Sequence, residues 1–171
     1  MVAVLGLGVL AATPAPAAVS STVPVSLPNL LAKASDAPAS RTIVATYHGA
    51  KGDAASPAIG TIICSITANN PFWSPPTISY QFDVVEGWGA ITCTSPVAKL
   101  SIGVALDWQG AQVSTAYASS YESAAVGQTA VTDCYDGNYI TVDVGVVYFP
   151  PGYTPAESEI SSNSVEIPIS C

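Results

Sequence analysis

Four cysteines, one histidine and a few close pairs of carboxylates are the residues of this chain best equipped to crosslink, ligate or catalyse. Cys64, Cys93, Cys134 and Cys171 stand 29, 41 and 37 residues apart. An even set at such wide spacing reads as two long-range disulfides. Structural zinc takes its ligands in close pairs such as C-x-x-C, and the chain has no such pair, so no metal site is expected. Four cysteines allow three connectivities. The favoured one is Cys93–Cys134 with Cys64–Cys171, because the second bridge joins the inward faces of the first and last strands and ties down a chain end that would otherwise fray.

A serine hydrolase needs a histidine to take the serine's proton. The single histidine, His48, falls in a polar, flexible-looking stretch, and no G-x-S-x-G elbow occurs. Cys–His chemistry requires a free thiol, and none is expected. Asp83/Glu86, Asp133/Asp136 and Glu157/Glu159 are the local carboxylate pairs. A glycosidase sets two such groups across a cleft, for which a sandwich of about 110 residues leaves little room. Solubility at turns and edges accounts for them. Asp133-Cys-Tyr-Asp136-Gly-Asn138 holds oxygen ligands but not the spacing of a calcium loop, and reads as an Asp-Gly turn. No catalytic residue and no cofactor is assigned.

Aromatic residues offer a binding chemistry instead. Asn70-Pro-Phe-Trp-Ser-Pro-Pro76 sets Phe72 and Trp73 in a proline-stiffened loop, where exposed rings stack on sugars or anchor protein contacts. Trp88 and Trp108 are expected to pack against a disulfide, as in immunoglobulin-type domains.

Charge narrows the partners. Residues 59–171 hold Lys99 alone against ten acids, a net charge of −9. A domain with one cation cannot neutralise a row of phosphates, so nucleic acid is excluded as a partner class, and anionic lipid is disfavoured. No stretch approaches the ~20 apolar residues of a spanning helix.

The elements that must position these residues follow from periodicity. Residues 2–12 form an apolar run of signal-peptide length, and Ala15-Pro16-Ala17 places a cleavage site after Ala17, although no Lys or Arg precedes the run. Residues 18–58, rich in Ala, Ser, Pro and Thr, read as a linker or pro-segment in which Arg41–Tyr47 has the propensity of an edge strand. From residue 60 the apolar period is two. Expected strands cover 62–68, 77–85, 88–93, 100–108, 111–118, 125–132, 140–148 and 165–171, with Gln109-Gly110 as a two-residue hairpin turn. On the longest, Ile140, Val142, Val144, Val146 and Tyr148 share a face opposite Thr141 and Asp143. The economical packing is an all-β, antiparallel two-sheet sandwich of immunoglobulin-like size, stapled by two disulfides.

Cys64-x-Ile66 followed by Asn69-Asn70-Pro71, then Thr92-Cys-Thr-Ser-Pro-Val-Ala-Lys-Leu-Ser101, then Tyr148-Phe-Pro-Pro-Gly-Tyr-Thr-Pro155 and a strand ending in Cys171, together resemble a group of small secreted four-cysteine proteins of actinobacteria with no assigned activity. The resemblance covers residues 60–171. It implies an exported β-sandwich and carries over no catalytic residue. The hairpin turn is often Asn-Gly in that group, and Gln109-Gly110 departs from it.

The functional expectation is a secreted, non-enzymatic module acting by surface contacts with a protein or the cell wall. A carbohydrate-binding module using Trp73, and a small extracellular hydrolase, are the alternatives.

Overall fold

The alternation that starts at Trp88 and resumes at Leu100 belongs to one long strand, and this strand organises the molecule. The computed structural model describes residues 27–31, 40–48 and 60–171. The leader at 1–17 and the rest of the 18–58 stretch lie outside the described residues. In chain order the elements are α1 (Leu27–Leu31), β1 (Ser40–Tyr47), β2 (Thr61–Ala68), β3 (Phe72–Ser74), β4 (Val84–Trp108), β5 (Ala111–Asp133), β6 (Gly137–Tyr148), β7 (Tyr153–Thr154), β8 (Glu157–Asn163) and β9 (Ile167–Ile169). The hydrogen bonds make one nine-stranded antiparallel sheet, ordered β7-β1-β2-β4-β6-β8, with β3 and β5 also on β4 and β9 on β6. The fold is all-β, and among the described residues the only helix is the single turn of α1. The strand anticipated at Arg41–Tyr47 is β1, paired to β2 from Ser40↔Thr67 to Thr46↔Thr61.

β4 and β5 form a 48-residue hairpin span, Val84 to Asp133 less its turn, closed by Gln109 and Gly110 with φ of 50° and 81°. Two successive positive φ values are what a type I′ turn requires. The hairpin is broken at one corner. Between the pairs Thr92↔Ala125 and Val97↔Ser123, β4 carries Cys93 to Pro96 where β5 carries only Ala124. Pro96 has no N–H to give a ladder, so it belongs at such a bulge, and the bulge bends the strand. On one side of the bend β4 pairs with β2 and β3; on the other it pairs with β6.

The two halves fold onto each other around one core. Ile62, Cys64 and Ile66 of β2 and Leu100, Ile102, Val104 and Leu106 of β4 line it, on the faces that periodicity assigns inward. Glycines let the layers close. A Cβ on Gly87 would lie 2.7 Å from both Leu106 Cδ2 and Thr141 Oγ1. One on Gly89 would overlap the Asp143 carboxylate, and one on Gly145 would overlap Ile91. At β5 the halves meet through Ser114 Oγ donating to Val131 O at 2.7 Å and Gln128 Nε2 donating to Tyr117 O at 3.1 Å.

Several expectations are corrected. Residues 77–83 are not a strand. Thr77 Oγ1 accepts from Ser79 N and Tyr80 N at 3.2 Å, a local turn that leaves Ile78 and Phe82 exposed. The segments 88–93 and 100–108 are one strand, as are 111–118 and 125–132. The last strand shortens to Ile167–Ile169, and the unanticipated β8 pairs with β6 from Val142↔Asn163 to Tyr148↔Glu157. On β6 both faces are buried. Thr141 and Asp143 point into the core, while Val142 and Val144 lie outside under Leu31 of α1. Leu31 is 5% exposed, and burying such a leucine contributes roughly 2 kcal/mol.

The disulfides are Cys64–Cys93 and Cys134–Cys171, not the favoured pairing. Cys64 and Cys93 are direct cross-strand partners of β2 and β4, with Cα atoms 4.0 Å apart. Cys134 follows β5 and takes Cys171, whose N–H also donates to Asp136 Oδ1 at 2.8 Å. The buried Tyr139 hydroxyl holds the same turn, donating to Tyr135 O at 2.9 Å and accepting from Tyr135 N at 3.1 Å.

Candidate functional site

Phe72 and Trp73 form the core of β3, paired with Glu86 and Val85 of β4. They are 49% and 47% exposed. Successive residues of a strand point to opposite faces, so the two rings do not build one platform. Phe72 shares the outward face of Glu86, and therefore of Trp88 two residues on. Trp88 is 42% exposed beside Gly127, on the face opposite Cys64 and Cys93, so it does not pack on their disulfide. Trp108 lies at the other bridge's turn, with Nε1 donating to Asp136 O at 3.4 Å and its ring 5.8 Å from that of Tyr135.

The outward face that starts at Phe72 and Trp88 continues across four strands. Cross-strand partners share a face, so Thr42, Ser65, Thr92 and Ala125 stand in one row, and Ser40, Thr67, Ala90 and Gly127 in the next. Val44 and Ile63 extend it. These positions carry hydroxyls and methyls and no charge; Glu86 marks one end. Thr42 Oγ1 and Ser65 Oγ are 3.3 Å apart, and Thr94 Oγ1 accepts from Ile63 N at 3.1 Å.

The other outward face, on β5, β4 and β6 beyond the bend, holds a groove of about 380 Å³. Its walls include Lys99, Ser101, Tyr117, Ser119 and Tyr148, with Leu27 and Pro28 of α1. The sequence contained the signal in the alternations Lys99-x-Ser101-x-Gly103 and Tyr117-x-Ser119-x-Tyr121, each on one face of its strand. What it lacked was the register that brings them side by side.

Asp83 and Asp133, from two different carboxylate pairs, line one open groove of about 510 Å³ beside Cys134 and Cys171. Glu157 and Glu159 are exposed on one face of β8, and Asp133 and Asp136 are exposed at the turn around Cys134. His48 is exposed at the end of β1, its N–H donating to Gly152 O at 3.0 Å. The buried acid is Asp143, opposite Ser162 on β8. Both its oxygens, Ser162 Oγ and Thr141 Oγ1 lack hydrogen-bond partners among the described residues. Burial pushes the Asp143 carboxyl up to about 8. It is walled in by the core and does not open on either outward face.

No protein-family model matches the chain, and neither does any curated protein or any solved structure.

Proposed function

We propose that the chain is an exported, non-enzymatic β module that acts outside the cytoplasm by surface contact with the cell wall. The folded-over sheet serves as a two-sheet sandwich of immunoglobulin-like size, held by the two disulfides and offering two outward faces. One observation carries the reading. In a folded unit whose described residues hold ten acids and two cations, Arg41 and Lys99, the Thr42–Ser65–Thr92–Ala125 and Ser40–Thr67–Ala90–Gly127 rows of one broad face are free of charge. Dehydrating charged groups is costly, whereas methyls and hydroxyls are dehydrated cheaply against a surface that returns the hydrogen bonds. An uncharged wall polymer meets that description.

Co-sedimentation with purified walls tests this. Thr67→Lys/Thr92→Lys sets two charges on the face without touching the core and should lower retention at least about tenfold. Retention unaffected by that change, or no retention of the unaltered protein, overturns the reading.

A second reading, carbohydrate recognition by exposed rings, gains from Phe72 and Trp88 flanking the same face. Trp88→Ala should then weaken retention on insoluble polysaccharide while Trp73→Ala, on the opposite face, changes little. The reverse order would return the contact to Trp73.

A further inference from the structure

The groove beyond the bend is a site of a different kind from the charge-free face. Strand register sets Tyr121, Lys99 and Tyr148 in one row and Ser119, Ser101 and Val146 in the next. Lys99 Nζ sits 5.4 Å from the Tyr121 ring centroid and 5.6 Å from that of Tyr148, and it forms no ion pair among the described residues. Two aromatic faces hold the ammonium in place without consuming its hydrogen-bond donors. The hydroxyls of Ser101 and Ser119 are 2.9 Å apart, so together they still offer a donor and several lone pairs. Tyr117 lies over Gly103, where a Cβ would come within 2.9 Å of its Cε1, so the missing side chain lets the ring settle across the strand. α1 covers this face from Gly103 onward through Leu31, and Leu27 and Pro28 end as the groove's wall.

We propose that this groove binds a neutral saccharide. Tyr117 and Tyr148 offer an apolar surface of the kind on which the C–H face of a pyranose packs, above the buried Val146. The polar groups around it are of both signs. Lys99 donates from one flank, while Glu157 and Glu159 of β8, paired with Tyr148 and Val146, bring acceptor carboxylates to the same face on the other. An anionic ligand would meet those two carboxylates, and a cationic one would meet Lys99. A polyhydroxylated, uncharged ligand uses donors and acceptors alike. The inference rests on the reading of the chain as a binding module, but on a different face from the one that reading uses.

Amide chemical shifts of the folded, disulfide-bonded protein test it, with cellotetraose and chitotetraose as neutral probes and tetragalacturonate as the acidic control. Saturable shifts are expected at residues 99–103 and 117–121 with a neutral probe. Lys99→Gln should weaken that binding roughly tenfold and Lys99→Arg should largely retain it. Tyr148→Ala should act like Lys99→Gln, and the surface Lys99→Gln variant keeps the test decisive if Tyr148→Ala does not fold. The proposal is overturned if no neutral probe shifts these amides, if tetragalacturonate binds more tightly, or if Lys99→Gln binds unchanged. Wall retention that is lost in Thr67→Lys/Thr92→Lys, with no shifts in the groove, would sink the saccharide site and leave the module reading standing.

Discussion

Asp143 of β6 lies against Gly89 of β4, across the interior of the folded sheet. Its neighbours continue the arrangement, with Thr141 against Gly87 and Ile91 against Gly145. Each contact sets a side chain on one layer against a glycine on the other, so the layers approach more closely than two side chains would allow. The consequence is a carboxyl group in the core whose two oxygens find no partner among the described residues. Desolvation raises its pKa and no neighbouring charge counters it.

That environment makes stability fall with rising pH. The Asp143 carboxyl ionises near 4 in the unfolded chain and at about 8 in the folded one. Below pH 4 both states are protonated and no penalty exists. Between pH 4 and 8 the unfolded state ionises while the folded state holds its proton, and above 8 the full penalty applies. Urea unfolding should give a stability lower by on the order of 3 kcal/mol at pH 8 than at pH 5.5. Asp143→Asn should remove most of that slope and be more stable than the unaltered protein at pH 8. Parallel slopes in the two proteins would show that Asp143 is not the responsible group.

The Gly89–Asp143 contact can be tested as a pair. Gly89→Ala drives a methyl into the carboxylate and should destabilise by about 2–4 kcal/mol, in the range of overpacked cores with a displaced polar group. In an Asp143→Ala background the same change should cost about 1 kcal/mol or less, since the space is then open. Additive costs in the double variant would mean that the two residues do not share the site.

The period of two was readable wherever one face of a strand is buried and the other is wet. It located the inward faces of β2 and of the second half of β4, and Gln109-Gly110 announced the turn between β4 and β5. On β6 it placed Ile140, Val142, Val144 and Val146 on one face but not the direction of that face: α1 covers Ile140, Val142 and Val144 on the outside, and Asp143 takes the interior. The stretch from Ile78 to Phe82 has the same alternation and no partner strand, since the Thr77 turn withdraws it from the sheet. The expected break between residues 93 and 100 is a bulge at Cys93–Pro96 inside one strand, since a bulge and a terminus look alike in one dimension. Disulfide pairing depends on register, which composition does not encode. The ring–lysine row of the groove escaped for the same reason, its members coming from three strands.

The register gives the cysteine pairing a direct test. Peptide mapping under non-reducing conditions should recover Cys64 joined to Cys93 and Cys134 joined to Cys171. The loops span 29 and 37 residues, so on chain entropy each bridge contributes roughly 4 kcal/mol. Cys64→Ala/Cys93→Ala and Cys134→Ser/Cys171→Ser should therefore each cost about that much in denaturant unfolding. The second pair should also free the C-terminal strand, seen as faster amide exchange at Ile167 and Ile169, because Asp136 alone then holds Cys171. Recovery of a Cys64–Cys171 peptide would contradict the register of β2 on β4.

Gln109 occupies the first central position of the hairpin turn with φ of 50°, a left-handed conformation that asparagine and aspartate adopt more readily. Its N–H donates to Asn138 O at 3.0 Å, a backbone bond that a substitution preserves. Gln109→Asn keeps the amide, shortens the side chain and should raise stability by about 0.5 kcal/mol. Gly110→Ala, at φ of 81°, should lower it by about 1 kcal/mol because a Cβ is strained there even though the surrounding space is open. Thermal melts of the two variants should fall on opposite sides of the parent. A Gln109→Asn melt below the parent's would mean that the longer side chain makes a stabilising contact with its neighbours at Trp108 and Gly137, outweighing the backbone preference.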